Sequence, residues 1–275
     1  MDIEILEMAD RKCKFILKNS TPAMANALRR TMLSDIPKMA IDNVEFHLGP
    51  IDVDGKEFES ITPLFNEIIA HRLGMVPVPT DLDTYTFKDK CVCGGEGCPS
   101  CTMMYSLNKN GPCTVLSGDL MPLGDPEKMK VKDEFIPIVE LTDEQSVMIY
   151  AHAVMGTARQ HVKWQAAFGV GYKYMPTVKI DGNEVGFDEP VKVCKHHVYA
   201  MDGRKLDIVE DPKDCICCRQ EEDGERSGIE IGSDDTVFVF KFETDGSLTA
   251  QQVLDKAVEI LSADAKAFAE KVAAL

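Results

Sequence analysis

Four closely spaced cysteines are the residues of this chain best suited to chemistry. The segment CVCGGEGCPSC contains Cys91, Cys93, Cys98 and Cys101. Two cysteine pairs joined by a glycine-rich turn can place four thiolates around one ion, and zinc prefers tetrahedral sulfur at closed structural sites. Glycine permits the tight backbone that such a loop needs. The spacing therefore predicts a structural zinc site, and a redox-active disulfide pair is the alternative interpretation.

A second group of cysteines lies further along the chain, at Cys194, Cys215, Cys217 and Cys218. Part of this group matches the ferredoxin pattern C-x2-C-x2-C-x3-C, but Glu221 and Glu225 stand at the third and fourth positions. Three interpretations stay open. The thiols are reduced and bind nothing, they hold an altered iron–sulfur cluster, or they form a second zinc site together with His196 and His197.

The patterns that usually mark an active site are absent from the sequence. There is no P-loop, no H-E-x-x-H and no G-x-S-x-G, and the lone G-x-G at Gly169 and Gly171 predicts only a turn. A metal-dependent hydrolase is disfavoured because no ligand pattern leaves an open coordination position. We therefore expect a chain without an active site of its own.

The composition describes an ordinary globular protein with an acidic surface. The 275 residues are 44% hydrophobic and 28% charged, which is enough for one large domain or two to three smaller ones. The net charge of −16 argues against nucleic acid as a direct ligand, because phosphate binding needs a basic face. The acidic amino terminus and the lack of a long apolar run predict a cytoplasmic protein without membrane contact.

The first predicted helix carries two adjacent arginines. It begins after Thr21, a suitable N-cap followed by Pro22, and ends before Pro37. Arg29 and Arg30 lie in its middle, and pattern alone favours a solvated basic patch at this position. Its predicted core stripe consists of Ala25, Leu28, Met32 and Ile36.

Two further helices are predicted. One begins at Thr62 with Pro63 and ends at Gly74, and the last begins with a capping box formed by Thr249 and Gln252. The last helix repeats an apolar residue every seven positions, at Leu254, Leu261, Phe268 and Leu275. Such a seam faces another helix, either in the same domain or in a partner chain, and spacing alone does not decide between them.

Three stretches of the sequence resemble one family. They are NALRRTMLS from Asn26, AHRLGMVP from Ala70 and GTARQHVKW from Gly156. In wording and order they are similar to the alpha-type assembly subunits of cellular RNA polymerases, especially the archaeal D-type branch. That family includes the bacterial alpha amino-terminal domain and the third-largest subunit of eukaryotic RNA polymerase II.

The resemblance implies an α+β fold with a discontinuous dimerisation domain, a mixed sheet with helices built from residues 1–40 and 229–275. Residues 41–170 are then an inserted mixed α/β domain with a zinc knuckle. Residues 171–228 are then a degenerate ferredoxin-like insertion.

The resemblance also implies a non-catalytic scaffold that pairs with a small alpha-like subunit, the archaeal subunit L. The pair then docks the small subunits N and P and the second-largest catalytic subunit. Arginine suits such contacts because its guanidinium group can make two parallel hydrogen bonds to a carboxylate. The candidate interface residues are Arg29, Arg30, His71, Arg72, Leu254, Leu261 and Phe268. The alternative function is an iron–sulfur redox-sensing or electron-transfer protein that uses the second cysteine group.

Overall fold

The computed structural model describes residues 1–53, 55–180, 199–202, 205–208 and 229–274. Its contacts divide the chain into two compact units. The first unit consists of Met1–Glu7, Cys13–Ala27 and Gly171–Lys241. The second unit consists of Met8–Lys12, Leu28–Val170 and Phe242–Leu275. The domain boundaries expected from the sequence stay a prediction.

The described residues form a mixed α+β structure. The helices are α1 (Pro22–Ser34), α2 (Asn66–Gly74), α3 (Pro126–Met129) and α4 (Ala250–Ala273). The strands are β1 (Asp2–Met8), β2 (Lys12–Lys18), β3 (Lys38–Phe46), β4 (Pro50–Val53), β5 (Lys56–Glu59), β6 (Thr102–Asn110), β7 (Cys113–Leu116), β8 (Met121–Pro122), β9 (Pro137–Leu141), β10 (Ser146–Gly156), β11 (Ala167–Ile180), β12 (Tyr199–Asp202), β13 (Lys205–Ile208) and β14 (Ile229–Thr244). Within this part of the chain no helix is long and apolar enough to cross a membrane.

One four-stranded sheet has the strand order β1-β2-β14-β11. Its buried aromatic side chains come from alternate positions, because successive residues of a strand point to opposite faces. Phe15 stacks on Phe240 with ring centroids 4.9 Å apart, and Tyr172 lies 5.1 Å from Phe240. Phe238 is fully buried beside them. Strand β14 therefore supplies core side chains to this sheet.

A second four-stranded sheet has the order β3-β10-β6-β8, and each neighbouring pair is antiparallel. One face of the sheet contributes to a hydrophobic core in the second unit. Strand β10 contributes Ile149 and Ala151 to it, and α2 adds Ile69 and Leu73. Two antiparallel hairpin-like pairs, β4 with β5 and β7 with β9, complete this unit.

The predicted first helix is confirmed. Thr21 Oγ1 accepts the backbone N–H of Met24 at 3.3 Å, which satisfies one of the unpaired donors of the first turn. Helix α1 ends at Ser34, before Pro37. All members of the predicted apolar stripe are buried, namely Ala25, Leu28, Met32 and Ile36.

Two local predictions are wrong. Helix α2 begins at Asn66 and not at Thr62, because Thr62 Oγ1 donates to the carbonyl of Leu64 at 2.6 Å and Phe65 is extended. The G-x-G of Gly169 and Gly171 is not a turn but lies within β11. Gly169 accommodates a φ of +57° there, a conformation that glycine adopts without strain.

Candidate functional site

The four clustered cysteines converge on one point. Their sulfur atoms all lie within 4.8 Å of one another, so this group can hold a metal ion. The Sγ atoms of Cys91 and Cys98 are 3.5 Å apart, and those of Cys93 and Cys101 are 3.7 Å apart. Four sulfurs at the zinc–sulfur distance of about 2.3 Å would be separated by about 3.8 Å. The spacing of the thiols thus fits a tetrahedral four-sulfur site.

Backbone N–H groups point at the sulfur atoms of this cluster. Hydrogen bonds from the N–H of Gly97 and its neighbours lower the pKa of Cys93 to about 6, and the N–H of Ser100 lowers the pKa of Cys98. The backbone of Cys98 donates to Cys101 Sγ at 3.3 Å. Donors aimed at sulfur favour the thiolate, which is the form that binds a metal. The pKa of Cys91 is raised instead, because its backbone hydrogen bond from Cys93 is outweighed by desolvation and by the hydrogen bonds with the other three thiols.

The loop reaches this geometry through its glycines and through its anchor on β6. Gly94, Gly95 and Gly97 have φ values of +67°, +91° and +99°, which side-chain-bearing residues rarely adopt. Cys101 directly precedes β6 and is fully buried, and Thr102 lies 3.7 Å from its sulfur. The cluster is therefore closed on its strand side, as expected for a structural site.

Helix α4 changes character along its length. Thr249 accepts the N–H of Gln252 at 3.2 Å, which confirms the predicted capping box. Leu254 is only 6% exposed, so its side chain packs within the chain. Val258, Phe268 and Val272 are instead 45%, 70% and 52% exposed. The apolar seam therefore begins in the chain's own core and continues onto the surface.

A buried ion pair fixes the turn that leads into α4. Lys38 Nζ contacts the carboxylate of Asp245, and the two side chains are only 5% and 10% exposed. Lys38 also donates to the carbonyl of Gln165 at 3.3 Å, and Asp245 accepts the N–H of Ser247 at 3.0 Å. Removing one partner of such a pair leaves a buried charge, which costs about 3–5 kcal/mol. This pair therefore holds the segment that precedes α4 against β3 and the segment around Gln165.

Sequence reasoning missed this pair, because its members are 207 positions apart. The one available signal was a lysine placed between Pro37 and Met39 in an otherwise apolar run.

The four predicted basic contact residues all belong to the second unit. Arg30 and His71 are exposed, and Arg29 is half-buried. Arg72 is exposed as well, but one of its guanidinium nitrogens donates to the carbonyl of Ile138 at 2.7 Å. Arg72 thus supports the packing of α2 on β9 in addition to any role at the surface.

The third family-like stretch forms a loop that holds the end of α1. Arg159 makes a two-pronged ion pair with Asp35, in which the Nη2–Oδ2 distance is 2.9 Å, and its N–H donates to the carbonyl of Ser34. Lys163 pairs with Asp42 at 2.6 Å. The sequence did not predict a structural role for Arg159, because Asp35 lies 124 positions away.

The second cysteine group lies outside the described residues. Cys194, Cys215, Cys217 and Cys218, and the glutamates and histidines near them, therefore stay predictions. The same holds for the ferredoxin-like character of the insertion.

Comparison with known proteins places this chain in a family. The family model described as the RNA polymerase Rpb3/Rpb11 dimerisation domain matches residues 14–265. The chain is 44% identical to the DNA-directed RNA polymerase subunit Rpo3 of Picrophilus torridus, over 94% of this chain and 95% of that protein. It is 42% identical to the Rpo3 of Thermoplasma volcanium, over 95% of each chain. It is 37% identical to the Rpo3 of Archaeoglobus fulgidus, over 96% of this chain and 95% of that protein. The chain therefore belongs to the RNA polymerase Rpb3/Rpb11 dimerisation family, among the archaeal transcription subunits of the Rpo3, or D, type.

Proposed function

We propose that this chain is a non-catalytic assembly subunit that pairs with the small alpha-like subunit of RNA polymerase, subunit L in archaea. A dimerisation domain implies partnership with other polymerase subunits. The observation that supports this particular pairing is the exposed carboxyl-terminal half of α4. We further propose that the protein works in the cytoplasm, and that α4 belongs to a discontinuous dimerisation domain built from both ends of the chain.

The exposed part of α4 has the features of a helix that lacks its partner. Leu261 is half-buried, and Phe268 and Val272 follow it at heptad-compatible spacing. An aromatic side chain that is 70% exposed gains free energy when it enters a partner's pocket. The helix needs no rearrangement for this, since its first turns are already fixed by the capping box and by Leu254.

Reconstitution tests this function. The full chain is mixed with the small alpha-like subunit and the remaining polymerase subunits of an archaeal relative, and the products are separated by size and weighed by native mass spectrometry. A one-to-one pair that then enters the complete enzyme is the expected result. A chain that stays alone, while the relative's own subunit assembles under the same conditions, would contradict the proposal.

The pair should then dock the small subunits N and P and the second-largest catalytic subunit. We propose that Arg29, Arg30, His71 and Arg72 contribute to this contact, because a guanidinium group can make two parallel hydrogen bonds to a partner's carboxylate and Arg30, His71 and Arg72 are exposed. Around α2 the surface also exposes Phe65, at 77%, and Ile68, at 41%. A mixed apolar and cationic face suits an interface with an acidic partner.

The double variant Arg29→Ala, Arg30→Ala tests the basic contact. It should fold and pair with the alpha-like subunit but enter the complete enzyme less well, by about tenfold or more. The control variant Lys128→Ala, Lys130→Ala removes two exposed charges elsewhere. Incorporation of the arginine variant at the level of this control would exclude the role of Arg29 and Arg30.

We also propose that zinc is the ion held by Cys91, Cys93, Cys98 and Cys101. Four thiolates with backbone donors make a closed site, where zinc has a structural role and leaves no position open for a substrate. The ion would fix a glycine-rich loop that has little apolar core of its own.

A further inference from the structure

The metal loop, residues 91–101, has one side open to solvent. Val92 is fully exposed, and Cys93 and Cys98 are half-buried. Cys91 and Cys101 are buried, at 7% and 0% exposed. Cysteine oxidation follows thiolate character and exposure. A small, water-soluble oxidant therefore reaches two of the four thiols and not the other two.

Each half-buried thiol has a buried thiol within reach. Cys98 Sγ lies 3.5 Å from Cys91 Sγ. Cys93 Sγ lies 3.7 Å from Cys101 Sγ. The sulfur atoms of a disulfide are about 2.0 Å apart, so each pair has to close by less than about 2 Å. The loop thus holds two matched pairs, each with one thiol that solvent reaches and one that can attack it after oxidation.

The backbone between the two pairs has room for this movement. None of the residues 92–100 is buried, so no apolar core fixes them. At Gly94 no atom lies within 4 Å of the place that a Cβ would take, and at Gly95 the nearest atom is 3.7 Å away. The shape of the loop therefore depends on bonds to its sulfur atoms, either to a metal ion or between the sulfurs themselves.

We propose that Cys93 and Cys98 are sites of reversible oxidation by peroxide, and that this oxidation replaces the metal site by the disulfides Cys93–Cys101 and Cys91–Cys98. The inference rests on the proposed zinc site and goes beyond it, because it gives the loop a second, metal-free state. It does not depend on which subunits the chain contacts.

The reaction consumes one peroxide for each pair. The thiolate of Cys93 attacks one oxygen of hydrogen peroxide, the O–O bond breaks, and the other oxygen leaves as hydroxide, which takes up a proton. The sulfur of Cys93 has then lost two electrons to the peroxide and is a sulfenic acid. The thiolate of Cys101 attacks this sulfur, so that the S–S bond forms, the S–O bond breaks, and a second hydroxide leaves and is protonated to water.

Cys98 and Cys91 react in the same way with a second peroxide. A disulfide offers no thiolate, and the thiolate is the form that binds a metal, so the loop then releases the ion. A nearby second thiol traps the sulfenic acid before further peroxide carries it to the irreversible acids.

Zinc release and thiol loss measure the reaction on the full chain. The chain is purified without oxygen, its zinc content is determined, and hydrogen peroxide is added stepwise in the presence of a colorimetric zinc chelator. Remaining thiols are alkylated with N-ethylmaleimide and located by peptide mass spectrometry. The four thiols of the loop should disappear together with the release of about one zinc per chain, for about two peroxides. Cys113 is the internal control, because its half-buried thiol lies outside the cluster and should still be alkylated.

The connectivity of the oxidised loop is the sharpest readout. Protease cleavage after Glu96 separates Cys91 and Cys93 from Cys98 and Cys101. The proposed disulfides keep the two fragments linked, and fragmentation of the linked pair in the mass spectrometer assigns each bond. Unlinked fragments, each with its own internal disulfide, would contradict the inference.

The double variant Cys93→His, Cys98→His separates reactivity from metal binding. Two imidazoles and two thiolates still suit a structural zinc site, but the thiols that remain are the buried ones. Peroxide should release zinc from this variant at least about tenfold more slowly than from the parent. Release at the parent's rate would show that the half-buried thiols are not the reactive ones. If the variant binds no zinc, the connectivity in the parent decides.

Dithiothreitol and added zinc should restore the starting zinc content, because thiols reduce disulfides. Zinc that stays bound at about tenfold excess of peroxide would overturn the inference and leave the zinc site intact. Conversion of the loop thiols to sulfinic or sulfonic acids would also overturn it, since thiols do not reduce those forms. A chain that holds no zinc before peroxide is added would instead overturn the zinc assignment together with this inference.

Discussion

Cys101 is the residue on which the metal loop depends most, because it is buried and directly joins the loop to β6. The variant Cys101→Ser should reduce bound zinc by about one ion per chain, since a site with three thiolates binds the ion much more weakly. Metal content by inductively coupled plasma mass spectrometry checks this. The control is Cys113→Ser, which removes a thiol outside the cluster. Equal zinc in both variants would contradict the assigned ligand set.

Gly156 is a second position at which a single added carbon atom should destabilise the fold. A Cβ placed there would lie 2.4 Å from the ring of Trp164, which is held by a hydrogen bond from its Nε1 to the carbonyl of Val154 at 3.0 Å. Gly156→Ala should lower the free energy of unfolding by about 1–3 kcal/mol through overpacking. Urea denaturation measures it. Gly74→Ala is the control, because its Cβ would meet only ordinary contacts, and an equal loss there would refute the steric explanation.

At the residue scale, what could be predicted depended on sequence separation. The four cysteines lie within one short segment, so their spacing alone predicted their convergence. Lys38 and Asp245, or Asp35 and Arg159, meet only through the fold, and no local pattern marks them as pairs. The second cysteine group stays a prediction, since it lies outside the described residues.

At the scale of single elements, the loop that carries Arg159 holds the end of α1. The guanidinium of Arg159 lowers the pKa of Asp35 through a side-chain hydrogen bond. A carboxylate with a lowered pKa stabilises the fold fully above its ordinary range and loses this contribution as the pH falls through the lowered value. The ordinary pKa of aspartate is about 3.9, so the acid range below about pH 4 is where the contribution is lost.

The variant Arg159→Ala should therefore unfold at a lower urea concentration than the parent at pH 7. The difference between the two proteins should shrink as the pH is lowered from about 5 to 3. The denaturation midpoint of Arg159→Lys should lie between those of the parent and Arg159→Ala, because lysine keeps the charge but cannot make both hydrogen bonds to the carboxylate. Denaturation midpoints across this pH range provide the measurement. If the difference in denaturation midpoint between the parent and Arg159→Ala stays constant with pH, the loop stabilises α1 by packing and not through this ion pair.

The helices show which elements a sequence can predict. Helix α1 and the cap of α4 were predicted correctly because Thr21, Pro22 and the Thr249–Gln252 box are local signals. The start of α2 was wrong by four residues, since Thr62 bonds to Leu64 instead of capping the helix. The heptad spacing of α4 could not tell which part of the seam is buried. Only the folded structure shows that Leu254 is buried and that Phe268 is exposed.

At the scale of the whole molecule, the chain combines a strongly negative net charge with separate proposed contact surfaces. The net charge of −16 disfavours direct contact with nucleic acid and suits partners that present basic surfaces. In the proposed assembly, the exposed half of α4 pairs with the small alpha-like subunit, and the basic residues of α1 and α2 contact further subunits.

The most direct test of this account compares two alanine variants of α4 in their binding to the small alpha-like subunit. Phe268→Ala removes an exposed side chain of the apolar seam, and Glu270→Ala changes an exposed residue that falls on the opposite side of the helix at 3.6 residues per turn. Isothermal titration calorimetry gives the dissociation constant of each pair. We expect about 30-fold weaker binding for Phe268→Ala and less than about threefold change for Glu270→Ala. Equal affinities for the two variants, or no binding by the parent chain, would contradict the claim that α4 mediates assembly.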